Sequence, residues 1–142
     1  MFEIVALLCC GTFFGASIYI NLAQHPATLD AGGDFAGQFF PPMYAKASTL
    51  QIALAVLGFL FGLVSWYQSN DILWIIGSLF LISVIPITLF FIKPINDQLL
   101  DENNDLSSEQ IESLLKKWNP RHGVRSLVSG IAFISFAVSL AG

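Results

Sequence analysis

Long runs of apolar residues alternate with short polar stretches along the 142-residue chain. Three runs contain no Asp, Glu, Lys or Arg: 47–67, 72–92 and 126–142. A fourth, 2–22, contains only Glu3, close to the start of the chain. A helix that rises about 1.5 Å per residue needs roughly 20 apolar residues to cross the ~30 Å hydrocarbon layer of a bilayer. The pattern therefore predicts one membrane domain, 1–142, with four spanning helices. Their expected bounds are about 2–22, 47–67, 72–92 and 124–142.

The polar segment between the third and fourth predicted spans has a helical pattern of its own. Ser107 and Gln110 have the spacing of a capping box, which marks the start of a helix. Apolar residues then recur at helical intervals up to Trp118. An apolar face with an aromatic residue at its end is typical of a helix that lies along the membrane surface. We therefore predict an all-α protein: a four-transmembrane-helix bundle with a short interfacial amphipathic helix, 107–118, between the third and fourth spans.

Prolines and small residues predict how the helices end, bend and pack. Pro26 is expected to end the first helix. The following segment, 23–46, is expected to be a loop. Its part 24–43 is rich in Gly, Ala, Phe and Pro, and we expect it to fold over the mouth of the bundle as a lid. Pro86 is expected to kink the third span because it removes a helical N–H. Small residues four positions apart predict close helix packing. These pairs are Gly11 and Gly15, Gly58 and Gly62, and Ser126 and Gly130.

Composition supports a membrane location, and the basic residues predict its orientation. Hydrophobic residues make up 55% of the chain and charged residues 11%, which a soluble domain of this length could not bury. All six basic residues fall on one side of the four spans. They are Lys46, Lys93, Lys116, Lys117, Arg121 and Arg125. Because Lys and Arg are retained in the cytoplasm, we expect both termini outside and this side inside, in the inner membrane of a bacterium.

The positions of the two cysteines argue against a disulfide or a shared metal ion, and the start of the chain argues against a cleaved signal peptide. Cys9 and Cys10 are neighbours on a predicted helix, so their side chains point about 100° apart and neither pair nor share a metal ion. We expect them to be small buried residues. The acidic start and the long first apolar run favour a retained helix over a cleaved signal peptide. Membrane lipids are expected partners, and nucleic acid is not.

Most candidate chemistry falls at the predicted cytoplasmic face. The chain has two histidines, His25 and His122, and the topology places both there. Asn21 lies one helical turn before His25, and Asn96 emerges from the third span at the same level. Polar side chains at membrane depth are costly unless paired, so such a group is a candidate functional site. The same residue types also anchor helix ends at the interface, and this structural alternative stays open.

A second set of candidates follows helical spacing on the last span. Trp118, His122 and Arg125 share one face if the helix runs unbroken through Asn119, Pro120 and Arg121. A break at Pro120 would rotate Trp118 away from the other two. The two histidines could also ligate haem or copper, although no third ligand at metal spacing is visible. We expect no cofactor and no metal, with haem or copper kept as the alternative.

Four pieces of the sequence, taken in order, resemble the anthrone oxygenase-like family of small integral membrane proteins. They are residues 15–27, 86–89, 93–96 and 115–125, the last containing the Leu-Lys-Lys-Trp and His-Gly-Val-Arg motifs. The resemblance implies a four-helix membrane bundle. For members from fungal and polyketide pathways it also implies a monooxygenase that converts an anthrone to an anthraquinone without an evident metal or flavin. The motif residues carried over are Asn21, His25, Asn96, Trp118, His122 and Arg125.

The resemblance gives these residues expected roles toward a small, flat, lipophilic aromatic substrate of anthrone, phenol or quinone type. His25 or His122 suits the general base, and Arg125 with Asn21 or Asn96 suits the developing oxyanion. Aromatic side chains are expected to hold the substrate: Trp118, Tyr19, Phe39 and Phe40. The alternative from another class is a non-catalytic bundle that binds a lipid, a quinone or a partner membrane protein, or forms homo-oligomers through its GxxxG faces.

Overall fold

The computed structural model describes residues 1–142 and is helical apart from short connections. Four helices are long and apolar enough to cross a membrane. They are α1 (Phe2–Asp30), α2 (Gly33–Ser69), α3 (Ile72–Leu100) and α4 (Ser108–Ala141). The prediction of an all-α protein with four such helices is therefore confirmed.

The helices form an antiparallel bundle in which α1 and α3 each pack against α2 and α4. Two tight turns, at Ala31–Gly32 and Asn70–Asp71, connect the first three helices. Asn70 adopts the left-handed conformation, which Asn tolerates, and the Asp71 side chain caps α3 by accepting from the Leu73 N–H. One end of the bundle, here called the histidine end, contains the Ala31–Gly32 turn and the loop 101–107.

The loop predicted over 23–46, with its lid at 24–43, is wrong, because almost all of these residues are helical. Residues Ile20–Gln24 form a π-helical turn, in which the His25 N–H donates to the carbonyl of Ile20, and α1 then continues to Asp30. Pro26 comes directly after this wider turn, in the first turn of the next α-helical segment, where a missing N–H costs little. Pro26 therefore does not end the helix.

The separate interfacial helix predicted at 107–118 is also not found. The Ser107–Gln110 capping box is present as predicted, but the helix it begins continues through Pro120 to Ala141. Side chains of α1 bond two carbonyls in the turn that precedes the proline: His25 Nε2 lies 2.9 Å from the Leu115 oxygen, and Asn21 Nδ2 lies 2.9 Å from the Asn119 oxygen. These contacts stabilise the helix where Pro120 removes its own hydrogen bond.

The third helix is irregular, as Pro86 predicts. Its segments are Ile72–Ile82, Val84–Ile87, a π-helical turn at Thr88–Ile92, and Lys93–Leu100. The α-helical pattern is interrupted at Ser83, close to the carbonyl of Ile82 that Pro86 leaves without its usual donor. The second π-helical turn again comes just before a proline, Pro94.

Two apolar clusters fill the interior. The cluster at the histidine end is Ile20, Ala36, Phe40, Ile92, Ile95, Leu115 and Trp118. The other cluster is Ala6, Cys10, Phe13, Ala55, Trp74, Leu81, Val84, Ala132 and Phe136. Cys10 is fully buried and Cys9 partly buried, both as free thiols. Each helix contributes residues to both clusters, and polar residues lie between these two sets on every helix.

Candidate functional site

A layer of polar side chains lies inside the bundle between the two apolar clusters. Ser17 belongs to it on α1, Gln51 on α2, and His122 and Arg125 on α4. Only 1% of His122, 3% of Gln51 and 9% of Arg125 is exposed. Burial of such groups costs several kcal/mol unless they find partners. Their contacts therefore decide what the layer can do.

Asn21 connects α1 to α4 through hydrogen bonds, which its amide oxygen accepts and its amide nitrogen donates. Its Oδ1 lies 2.8 Å from His122 Nδ1 and 2.6 Å from the Ser126 hydroxyl, which donates to it. Its Nδ2 donates to both oxygens of Asn119, at 2.9 and 2.6 Å. Since a carbonyl oxygen only accepts, His122 Nδ1 is the protonated ring nitrogen. The neutral imidazole of His122 therefore has its lone pair on Nε2.

Trp118 joins the two histidines to the third helix. Its indole stacks on His25, with ring centroids 5.1 Å apart, and on His122, at 4.5 Å. Its Nε1–H donates to Asn96 Oδ1 at 2.8 Å. His25 Nε2–H donates to the carbonyl of Leu115. The side chains of three helices thus fix the position of the indole.

Arg125 is a buried cation without a carboxylate partner. Its Nη2 donates to Gln51 Oε1 at 2.8 Å, and its guanidinium carbon lies 5.4 Å from the ring centre of Phe13. The chain has two ion pairs, Lys93–Asp97 and Lys116–Glu112, and Arg125 belongs to neither. A buried charge stabilised only by a neutral amide and an aromatic face favours an additional anion nearby.

Two adjoining cavities border this arginine. The larger, of about 120 Å³, lies between α2 and α3, and the smaller, of about 20 Å³, extends toward His122, Trp118 and Asn96. Four residues line both cavities: Tyr44, Ser48, Gln51 and Arg125. The imidazole of His122 and the guanidinium of Arg125 therefore border the same internal space.

Three buried N–H groups around this space have no hydrogen-bond partner in the protein. They are Gln51 Nε2, Asn96 Nδ2 and Arg125 Nε. Buried polar groups are almost always paired, so three unpaired donors on residues that line adjoining cavities are unusual. The arrangement suits an acceptor oxygen on a bound molecule.

The structure brings together most of the predicted site residues, but not all of them. Trp118, His122 and Arg125 are all buried on one face of α4, so no helix break at Pro120 rotates Trp118 away from the other two. Tyr19 is 60% exposed on the outside of the bundle and lines neither of the two cavities. Its predicted role in holding the substrate is not supported by its position.

Neither of the two predicted phenylalanines lines the two adjoining cavities. Phe40 is buried and meets the indole edge-on, with ring centroids 5.9 Å apart. Phe39 stacks on Phe35 and lines a separate small cavity with His25. His25 therefore supports Trp118 from outside the space that His122 lines.

Gln51 and Tyr44 belong to the site but were not predicted. Gln51 is the one amide side chain in the predicted span 47–67, so the cost of an amide at membrane depth was a signal that could have found it. Tyr44 gave no such signal, because its segment was predicted to be a loop. Across the whole chain, no three His, Cys, Asp or Glu side chains lie together as a metal-binding group.

Comparison with known proteins agrees with the resemblance seen in the sequence. A family model described as anthrone oxygenase matches residues 39–135. The matched part includes Asn96, Trp118, His122 and Arg125, while Asn21 and His25 precede it. No curated protein and no solved structure gives a significant match. The match covers most of the chain and agrees with its four apolar helices. The chain is therefore an integral membrane protein that belongs to the anthrone oxygenase family.

Proposed function

We propose that this protein is a membrane oxygenase that oxidises a small lipophilic aromatic compound of the anthrone or phenol type. The observation that carries the proposal is a buried imidazole and a buried, uncompensated guanidinium on one internal space, at His122 and Arg125. Family membership points in the same direction. A base and a cation side by side in an apolar bundle suit removal of a weakly acidic proton and stabilisation of the resulting anion.

His122 is the base in this proposal. Asn21 holds its Nδ1–H, which leaves the Nε2 lone pair to accept a proton from the methylene carbon of an anthrone. The resulting enolate is electron-rich and reduces molecular oxygen, and a carbon–oxygen bond forms to give a peroxide. Loss of the second C–H proton and cleavage of the O–O bond then give the ketone and water. The substrate supplies all four electrons, so the overall reaction needs no other reductant.

Arg125 stabilises the enolate, and the apolar surroundings strengthen its effect. The guanidinium is held by Gln51 and Phe13, so it requires little reorganisation when negative charge develops. In a medium of low dielectric constant, a fixed cation attracts that charge far more strongly than it would in water. Trp118 contributes a flat wall whose position His25 and Asn96 fix.

Oxygen uptake by the purified protein tests the proposal. Detergent-purified protein with a simple anthrone should consume one O2 per anthrone, and His122→Ala should lower the rate by about 100-fold or more. Phe90→Ala, at a side chain that is 76% exposed on α3, is the control and should retain the wild-type rate.

An absorbance spectrum and elemental analysis belong to the same experiment. No uptake by folded wild-type protein would overturn the proposal and favour a non-catalytic bundle that binds a lipid or a quinone. A haem or copper signal in stoichiometric amount would instead indicate a redox role for the histidines.

A further inference from the structure

The geometry points to the 120 Å³ cavity between α2 and α3 as a binding site for one aromatic ring bearing a phenolate or enolate oxygen, entered sideways from the bilayer. This inference rests on the proposed function for the identity of the natural substrate. It adds the location of the ring, the groups that bind its oxygen, and the route of entry.

Two unpaired donors define where the oxygen binds. Arg125 Nη2 occupies Gln51 Oε1, so the amide of Gln51 has a fixed orientation, with its Nε2 donors directed elsewhere. Gln51 Nε2 and Arg125 Nε both lack partners, and both residues line the cavity. An anionic oxygen would satisfy both donors and would also compensate the charge of Arg125. A neutral hydrocarbon would do neither.

The cavity volume limits the bound group to about one ring. A cavity of about 150 Å³ lined by apolar side chains in another protein holds benzene, so 120 Å³ is at the lower end for a six-membered ring. Ala55, Val84 and Ile85 supply apolar walls. The remainder of a larger, fused-ring substrate would therefore extend beyond the cavity, toward the space that His122 lines and toward the opening.

That opening faces the membrane. Ile52 on α2 and Leu89 on α3 both line the cavity, and they are 54% and 52% exposed on the outer surface of the bundle. Both residues lie in the apolar spans, where the outer surface contacts lipid. A lipophilic compound dissolved in the bilayer therefore reaches Arg125 without crossing water.

The test measures binding of 4-nitrophenol, whose phenolate absorbs visible light, to the full-length protein in lipid nanodiscs. Below the pKa of the free phenol, wild-type protein should increase the phenolate band above that of empty nanodiscs. Nitrobenzene, which lacks the oxygen, should bind more weakly by about tenfold or more.

Two variants locate the site. Gln51→Glu keeps an acceptor for Arg125 but replaces the donors with a negative charge, and should weaken 4-nitrophenol binding by about tenfold or more. Ile52→Trp should fill the opening and reduce binding to a similar degree. Leu60→Trp is its matched control, since Leu60 is 50% exposed on the same helix and does not line the cavity.

Each outcome bears on one proposal only. Unchanged binding in both Gln51→Glu and Ile52→Trp, or equally tight binding of nitrobenzene, would overturn the inference. Ile52→Trp alters a lipid-facing position, so it remains informative if Gln51→Glu does not fold. Phenolate binding without oxygen uptake from an anthrone would support this binding site and overturn the oxygenase function. Oxygen uptake that neither variant changes would support the oxygenase function and overturn this binding site.

Discussion

The amide of Asn21 determines which ring nitrogen of the proposed base, His122, is protonated. Its oxygen accepts from His122 and Ser126, while its nitrogen donates to Asn119. His25 has the opposite arrangement, because its Nε2–H donates to a backbone carbonyl. The two histidines should therefore be different tautomers when neutral.

Nitrogen NMR of ring-labelled histidine tests this assignment. Wild-type protein should show an Nδ1–H tautomer for His122 and an Nε2–H tautomer for His25. Asn21→Leu should remove the preference at His122 alone and lower oxygen uptake by about tenfold or more, since the base is no longer oriented. Asn21→Asp keeps the acceptor and should preserve the tautomer. An unchanged His122 spectrum in Asn21→Leu would contradict the network.

At the scale of helices, glycines allow close contact within the bundle. A Cβ atom at Gly62 would meet Ser78 Oγ and would lie 2.8 Å from the buried ring of Phe136. Gly15 has open space around its missing side chain. The Gly58 and Gly62 pair is therefore used for packing inside the chain.

Gly62→Ala should destabilise the bundle by about 1–3 kcal/mol, because the core must move to admit the methyl group. Gly15→Ala is the matched control and should be neutral or slightly stabilising, since alanine favours the helix. Unfolding in mixed micelles with increasing denaturing detergent measures both. Equal stability of the two variants would mean that α2 and α3 are less closely packed than described.

The end of the bundle opposite the histidines has a pH-dependent contact between helices. Asp71, in the turn between α2 and α3, accepts hydrogen bonds from Ser139 Oγ at 2.5 Å and from the Leu73 N–H at 3.0 Å. The Ser139 hydroxyl, followed by the Leu73 amide, lowers the pKa of the Asp71 carboxyl below its ordinary value. The carboxylate therefore connects the start of α3 to the end of α4.

Because the pKa of Asp71 is lowered in the folded state, the stability that its carboxylate contributes is fully present above the pKa of an unfolded Asp, about 3.9. It is lost as the pH falls from there through the folded pKa. Melting temperature measured against pH should thus fall less on acidification in Asp71→Asn than in the wild type. Ser139→Ala should show an intermediate fall, and a fall as steep as wild type in both variants would exclude this contact as the cause.

For the whole molecule, the positive-inside rule predicts which end of the bundle is cytoplasmic. The ends of the helices that bear Lys46, Lys93 and Arg121 lie together at the histidine end, although the side of the membrane stays a prediction. A reporter fused after Gly142 should report an outside location, and one inserted at Asn103 a cytoplasmic one. The opposite pair of signals would place the histidine end outside.

Some features of the helices could be predicted from the sequence, and others could not. Trp118, His122 and Arg125 were predicted to share a face from spacing alone, because an unbroken helix fixes the direction of each side chain. The continuity of that helix through Pro120 could not be predicted, since it depends on side chains of α1 that bond the neighbouring carbonyls. The same applies to Pro26, where a π-helical turn accommodates the proline.

The sequence by itself determined the number of spanning helices, the capped start of α4 and the membership of the family. Apolar length, capping and motif order are local properties, so they can be read without knowing which helices touch. Only the tertiary structure decided that Gln51 meets Arg125, that His122 and not His25 lines the smaller cavity beside Arg125, and that the exposed residues Ile52 and Leu89 line the larger one. These features depend on how the helices rotate against one another, which is set by packing between residues far apart in the chain.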